Sequence, residues 1–208
     1  MKFKNIALLT ILTITMITGC GEKEKIKDDQ LVKPQQDQTT TQNSVEKELP
    51  KQQAPVFNLQ THDGKSINIT ADAKNGWKFS GLENKVVLVD FFGTWCPPCK
   101  AEIPHLNNIR VELQKDFEII GIDIGNRDGS LNTQQSMQNF IDEYDIQYPI
   151  TITDQNIELF RAVQELNPSG SIPFMILFNK KGEFIQYYVG MKPEEMLKAD
   201  IQATINMK

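Results

Sequence analysis

One segment of the chain, an apolar run followed directly by two closely spaced cysteines, constrains the fold more than any other. Val86 to Phe92 reads as a fully buried strand, and Gly-Thr-Trp-Cys-Pro-Pro-Cys follows it. A helix-like sequence then continues from Lys100 to Lys115. The segment predicts a strand, a short loop and a helix, with Cys96 and Cys99 where the helix begins.

The spacing of these two cysteines suits thiol-disulfide exchange. Residues three apart on a first helical turn share one face, so a disulfide between them can form and open without backbone movement. Cys96 lies at the helix N-terminus, where the macrodipole favours the thiolate, and we expect it to be the nucleophile. Cys99 lies one turn further in, so we expect it to be less exposed and to attack the mixed disulfide as the resolving thiol.

The third cysteine, Cys20, closes an N-terminal segment of the export-signal type. Lys2 and Lys4 precede an apolar run from Ile6 to Ile17, and the exit Ile-Thr-Gly-Cys resembles a bacterial lipobox. The resemblance implies a signal peptide over residues 1–19 and a lipid on Cys20. The alternative is an uncleaved membrane anchor, but the run is shorter than the ~20 residues that a spanning helix needs. A lipoprotein would be tethered outside the cytoplasm, where disulfide chemistry is permitted.

Residues 20–53 comprise the predicted lipidated cysteine and a flexible polar linker. From Gly21 onward this stretch has no aromatic residue and is dominated by Lys, Glu, Gln, Asp and Thr, so it cannot bury enough apolar surface to order itself. A coil of this length reaches about 30 Å. The net charge of the chain is −5, and loss of Lys2 and Lys4 would make it more negative, which argues against nucleic acid as a partner.

Residues 54–208 form the predicted folded domain. Val56 to Leu59 and Ser66 to Ile69 indicate a hairpin around a His-Asp-Gly turn. Beyond the cysteines, strands alternate with helical crossovers and an antiparallel pair follows, which predicts an α/β fold. The predicted elements there are strand Phe117 to Ile124, helix Leu131 to Tyr144, strand Pro149 to Ile152, helix Asn156 to Val163, strands Phe174 to Phe178 and Phe184 to Val189, and a last helix opened by Pro193.

The sequence from Phe91 to Pro104 resembles the active site of the thioredoxin superfamily, specifically its ResA/TlpA-like extracytoplasmic branch. It reads Phe-Phe-Gly-Thr-Trp-Cys-Pro-Pro-Cys-Lys-Ala-Glu-Ile-Pro. Ala54 to Phe57 with Asp63 to Lys65 is similar to the N-terminal hairpin of that branch, and Leu131 to Ile152 is similar to its inserted helix and strand. The resemblance covers essentially all of residues 54–208. It implies a thioredoxin-like fold, in which helices flank a central mixed sheet.

The resemblance also implies a cis-proline opposite the cysteines. Pro173 fits because it immediately precedes an apolar strand, while Tyr148-Pro149 and Asn167-Pro168 are competing candidates, and a trans proline opening the strand is the alternative. The backbone of Ile172 would pair with an extended substrate chain. Trp95 would flank the nucleophile and cover apolar surface beside it.

Two acids are candidates for handling the proton of Cys99. Asp90 matches the buried aspartate of true thioredoxins, and Glu102 matches the glutamate near the site of ResA-like proteins. A carboxyl buried at the end of an apolar strand has a raised pKa and can carry a proton near neutral pH. The alternatives are a structural hydrogen-bonded acid at Asp90 and a solvated helix charge at Glu102. The lysine that accompanies the aspartate of thioredoxins has no clear equivalent, since Gly121 falls nearby.

The resemblance implies a protein-disulfide reductase without a cofactor, acting on cysteine pairs of other proteins in the bacterial cell envelope. It would lie on the periplasmic face of a membrane in a Gram-negative cell. Its implied partners are apocytochrome c during cytochrome c maturation, a DsbD- or CcdA-like membrane electron donor, and the membrane itself. A disulfide-forming oxidase is one alternative. A non-catalytic module that holds a client, or a metal through Cys96, Cys99 and His105, is another.

Overall fold

Two sheets organise the part of the chain that the computed structural model describes, residues 53–72 and 74–207. The predicted signal peptide, the lipidation site Cys20 and all but the last residue of the predicted linker lie outside the described residues. None of the helices within the described ranges is long and apolar enough to cross a membrane.

The elements follow the predicted order closely. The strands are β1 Val56–Gln60, β2 Ser66–Thr70, β3 Lys78–Phe79, β4 Val86–Phe92, β5 Phe117–Asp123, β6 Ile150–Thr151, β7 Phe174–Phe178 and β8 Phe184–Val189. The helices are α1 Pro97–Leu113, α2 Gln134–Tyr144, α3 Gln155–Ala162 and α4 Glu194–Ile205, with a short 3₁₀ turn at Gln164–Leu166.

The larger sheet has five strands in the order β6-β5-β4-β7-β8. β4 pairs parallel with β5 and antiparallel with β7, so the sheet is mixed. The smaller sheet is an antiparallel array of β1, β2 and β3, and it reaches the larger one through the backbone hydrogen bond from His62 N–H to Ile150 O. This architecture confirms the predicted α/β class with a central mixed sheet and an N-terminal hairpin.

Side chains of β4 alternate between two hydrophobic cores, one on each face of the larger sheet. Val86, Leu88 and Phe92 pack with apolar residues of α1, α2 and α4. The intervening Val87, Val89 and Phe91 pack with the hairpin and α3. Full burial of each such side chain contributes about 1.5–3 kcal/mol. Because Asp90 has the same parity as Leu88 and Phe92, its carboxyl lies on the face that α1 covers.

Two local details differ from the prediction. β3 was not predicted, because a strand of two residues has no periodicity and forms only by pairing with β2. The helix predicted from Leu131 begins at Gln134, since Thr133 caps it and its side chain accepts a hydrogen bond from Ser136 N–H at 3.1 Å. Residues 124–133 are therefore a loop between β5 and α2, and this loop lies beside the cysteines.

Candidate active site

Cys96 and Cys99 form a disulfide at the first turn of α1, with a Cα–Cα distance of 5.3 Å. Cys96 is the N-cap residue of the helix, and its sulfur accepts a hydrogen bond from Cys99 N–H at 3.2 Å. Pro97 and Pro98 occupy the next two positions, where a missing N–H costs the helix nothing. The helix therefore begins directly after Cys96, as the sequence predicted.

The prediction that Cys99 is less exposed than Cys96 is wrong for this oxidised structure. Cys96 is 2% exposed and Cys99 is 4% exposed. Cys96 is covered because its sulfur lies 3.7 Å from the carbonyl oxygen of Ile172, on the segment that faces the helix N-terminus. Cys96, the predicted nucleophile, is therefore enclosed by a long-range contact that its position on the helix alone does not reveal.

The peptide bond between Ile172 and Pro173 is cis, and it is the one cis bond within the described residues, so the competing Pro149 and Pro168 are trans. Pro173 is buried, and its carbonyl accepts a hydrogen bond from Gly190 N–H at 2.8 Å. Ile172 is half-buried beside the disulfide. This segment leaves backbone groups next to Cys96, where an extended chain could pair with them.

Asp90 lies in the middle of the sheet and is 3% exposed. Its neighbours in register are Gly121 on β5 and Met175 on β7, neither of which carries a charge. The atom Asp90 Oδ1 has no hydrogen-bond partner in the described part of the chain. Burial first, and then repulsion from Glu102, raise the pKa of the Asp90 carboxyl well above its usual range. Neither of these two register neighbours is a lysine.

Glu102 is 1% exposed, so the alternative of a solvated helix charge is wrong. Its Oε1 accepts a hydrogen bond from Lys192 N–H at 3.0 Å, while Oε2 has no partner among the described residues. Burial raises the pKa of Glu102 to about 7, against the opposing effect of the Lys192 N–H. A carboxyl with this pKa can take up and release a proton near neutral pH.

Tyr148 completes this buried cluster, and sequence reasoning considered it only as a residue before a proline. It is 3% exposed, and burial followed by the charges of Asp90 and Glu102 raises the pKa of its phenol well above the usual value. A Cβ on Gly121 would lie 3.3 Å from the Tyr148 ring. A neutral aromatic ring therefore packs against the position beside Asp90 that the accompanying cation would need.

Trp95 extends from the site toward the loop after β5. Its indole N–H donates a hydrogen bond to Gly125 O at 2.8 Å, and the guanidinium carbon of Arg127 lies 4.6 Å from its ring centroid. Asp123, which is 2% exposed, holds the start of this loop. Its Oδ1 accepts from Gly125 N–H at 3.2 Å and its Oδ2 accepts from Asn132 Nδ2 at 2.9 Å. Sequence reasoning named Trp95 but missed Arg127, Asp123 and Asn132, because no local pattern marks them.

The metal alternative required His105 as a third ligand beside the two cysteines. His105 Nδ1 lies 2.6 Å from Glu194 Oε2, so this nitrogen is engaged in a contact between α1 and α4. The described ranges contain no group of three or more His, Cys, Asp or Glu side chains that could hold a metal ion.

Comparisons with known proteins show that the chain is similar to thiol-disulfide oxidoreductases. The Redoxin family model matches residues 49–205. The chain is 27% identical over 151 residues to a thiol-disulfide oxidoreductase ResA of Bacillus cereus, covering 72% of this chain and 75% of that protein. It is 30% identical over 148 residues to ResA of Halalkalibacterium halodurans, covering 71% and 72% respectively.

Solved structures agree on the fold. A thiol:disulfide interchange protein of the thioredoxin family from Chlorobium tepidum TLS superposes with a TM-score of 0.58 at 25% identity, covering 74% of this chain and 96% of that chain. StoA from Bacillus subtilis superposes with a TM-score of 0.52 at 24% identity, covering 71% and 96%. The expected thioredoxin-like fold is therefore confirmed.

Proposed function

The chain belongs to the Redoxin family and is a thiol-disulfide oxidoreductase, and on that premise we propose that it reduces disulfides of extracytoplasmic proteins while tethered to a membrane. The observation that carries the proposal is the Cys96–Cys99 disulfide at the N-terminus of α1, with two buried acids on the same face of the sheet. A nucleophile, a resolving thiol and proton carriers are the parts that one exchange cycle requires.

In the first half of the cycle, the Cys96 thiolate attacks one sulfur of the substrate disulfide. The substrate S–S bond breaks, a mixed disulfide forms on Cys96, and the leaving substrate sulfur takes a proton. In the oxidised structure the Cys99 N–H donates to the Cys96 sulfur, and the same contact would stabilise the attacking thiolate. The backbone of Ile172 would hold the substrate chain alongside.

In the second half, Cys99 loses its proton to a buried carboxylate and attacks the Cys96 sulfur. The Cys96–Cys99 bond forms, the mixed disulfide breaks, and the leaving substrate sulfur takes a proton, so the substrate departs as a dithiol that has gained two electrons. We assign the proton uptake to Asp90 and Glu102, since each has a raised pKa and one oxygen without a partner in the described residues. Burial keeps this proton away from bulk water during the step.

The reducing direction is supported by the two prolines as well as by the ResA/TlpA-like resemblance. Pro97 and Pro98 supply no N–H to the Cys96 sulfur, so Cys99 N–H is the donor that this first turn contributes. A less stabilised thiolate makes the reduced form less favourable and the pair a stronger reductant.

The tether, the substrate and the electron donor rest on sequence resemblance. A lipid on Cys20 would anchor the chain, and a second acyl chain would make the attachment firm. Cysteine pairs of apocytochrome c, which are reduced during cytochrome c maturation, are the substrate that the ResA-like resemblance favours. A DsbD- or CcdA-like membrane protein would then return electrons to Cys96 and Cys99.

The decisive experiment is the reduction potential of the Cys96/Cys99 pair. The full chain carrying Cys20→Ser is equilibrated against a dithiol buffer, and the oxidised fraction is read from tryptophan emission. We expect a value near or below about −270 mV, whereas a value near about −120 mV would make the protein a disulfide-forming oxidase. Cellular activity that persists in Cys99→Ser would instead favour the non-catalytic client-binding module, since catalytic cycling requires the resolving thiol.

A further inference from the structure

Arg127 stacks on the residue that immediately precedes the nucleophile. Its guanidinium carbon lies 4.6 Å from the ring centroid of Trp95, and the indole is itself held by the Gly125 carbonyl. A guanidinium that lies over an aromatic face can still donate N–H groups to a carboxylate. The charge of Arg127 therefore lies over Trp95, next to Cys96, where a substrate disulfide would bind.

The charge of Arg127 is not neutralised by an ion pair in the described part of the chain. Its side chain is exposed. The adjacent Asp128 is engaged within its own loop, since its Oδ1 accepts hydrogen bonds from Ser130 N–H at 3.0 Å and Ser130 Oγ at 2.7 Å. Lys100, another cation at this end of the molecule, lies over the rings of Phe140 and Tyr144 instead.

Hydrogen bonds from Asp123 and within the loop stabilise the loop that carries Arg127. Asp123 accepts hydrogen bonds from Gly125 N–H and from Asn132 Nδ2, and Asn126 N–H donates to Ser130 O at 2.8 Å. Gly125 has a φ of +79°, and a Cβ there would lie 2.7 Å from Ser130 O, so this position requires glycine. A recognition residue on such a support loses little conformational entropy when it binds.

We propose that Trp95 and Arg127 form a recognition surface for substrates that carry an Asp or Glu beside the reacting cysteine. The inference rests on the proposed function, since it requires a protein substrate that approaches Cys96. The indole would cover the apolar part of the substrate chain, and the guanidinium would bind the carboxylate with paired N–H donors. Arg127 is then a specificity residue, while the sulfur chemistry remains with Cys96 and Cys99.

The test is a competition for trapping on a Cys99→Ser chain, which also carries Cys20→Ser. Two disulfide peptides that differ only in having Glu or Lys beside the cysteine are mixed in equal amounts, and the mixed disulfides on Cys96 are counted by mass spectrometry. We expect the Glu peptide to be trapped about three- to fivefold more often at low salt, with the ratio falling at high salt. Arg127→Lys should keep the preference, Arg127→Gln should abolish it and Arg127→Glu should reverse it.

Lys181→Glu is the matched control. It makes the same charge change on an exposed side chain beyond the end of β7 that lies away from Pro173, and it should leave the ratio unaltered. A ratio near one in the starting chain, or a Glu preference that survives Arg127→Gln, would overturn the inference. Because trapping does not depend on redox direction, this outcome is distinct from failure of the proposed reductase function, which the reduction potential decides.

Discussion

Glu102 loses nearly all of its water on folding, and this changes its proton affinity. Its pKa rises to about 7 from an ordinary value of 4.5, chiefly through burial. The folded state therefore holds the proton more tightly than the unfolded state does. The resulting stabilisation is fully present below pH 4.5 and is lost as the pH rises through about 7.

This linkage predicts a pH effect on the free energy of unfolding of the oxidised protein. Ionisation of Glu102 should lower that free energy by about 3 kcal/mol between pH 4.5 and pH 8. In Glu102→Gln this contribution should be missing, so the free energy of unfolding should fall less over the same range. Urea unfolding measured across that range checks it. The exposed Glu143→Gln on α2 is the control and should follow the starting protein. An equally steep fall in Glu102→Gln would contradict the prediction.

Among the described residues Asp90 Oδ1 has no hydrogen-bond partner, and the register neighbours of Asp90, Gly121 and Met175, carry no charge. If Asp90 accepts the Cys99 proton, Asp90→Asn should slow release of the mixed disulfide at pH 7 by about a hundredfold and flatten its pH dependence. Rapid mixing of the reduced protein with a disulfide peptide, followed from pH 5 to 9, measures this.

Glu102→Gln provides the comparison for that experiment. If Asp90→Asn leaves the pH dependence of release intact while Glu102→Gln flattens it, Glu102 is the proton acceptor and the role assigned to Asp90 is removed.

At the scale of elements, two connections at the same edge of the sheet build the site. The β4–α1 connection delivers Cys96 as a helix cap, and the β5–α2 loop supports Trp95 and Arg127. The second connection depends on Asp123, whose pKa is raised by burial and which accepts two hydrogen bonds from opposite ends of the loop.

Exchanging Asp123 and Asn132 should show how much their hydrogen bond contributes to the free energy of unfolding. Asp123→Asn leaves one buried donor unpaired and should cost about 1–3 kcal/mol of stability. Asn132→Asp alone sets two carboxylates together and should also destabilise the protein. The double variant restores one donor and one acceptor, so its cost should be clearly smaller than the sum of the two single costs. Urea unfolding of all four proteins checks this, and simple additivity would show that the contact does not hold the loop.

At the scale of the whole molecule, the larger sheet separates two cores, and the site lies at one end of it. We propose that the residues between Cys20 and this domain serve as a polar spacer, since their composition includes no aromatic residue. Such a spacer would let the site meet substrates near a membrane.

The tether itself is testable in cells. In the full chain, Cys20→Ser should move the protein from the membrane fraction to the soluble fraction, because it removes the site of lipid attachment. Cys96→Ser, which alters a buried cysteine of the folded domain, is the matched control and should remain with the membrane. Mass spectrometry of the N-terminal peptide should find acyl groups on Cys20. Membrane retention of Cys20→Ser, together with a starting protein that carries no acyl group on Cys20, would favour the uncleaved membrane anchor over the lipid.

Local sequence determined much of this protein. The apolar run of β4, the Cys96 cap and the apolar strand after Pro173 depend on neighbouring residues, so strand and helix signals predicted them nearly to the residue. The paired cysteines indicated exchange chemistry for the same reason, and the resemblance added the position of the cis-proline.

Only the tertiary structure decided which side chains surround that chemistry. Glu102 is buried because the loop before α4 covers it, and Tyr148 meets the Asp90 region because β6 pairs with β5. Arg127 reaches Trp95 across 32 residues of sequence, through a loop that Asp123 holds. These contacts join distant segments whose individual patterns carry no sign of one another. Burial and charge at the site are therefore properties of the folded chain, since they depend on what packs against each residue from elsewhere.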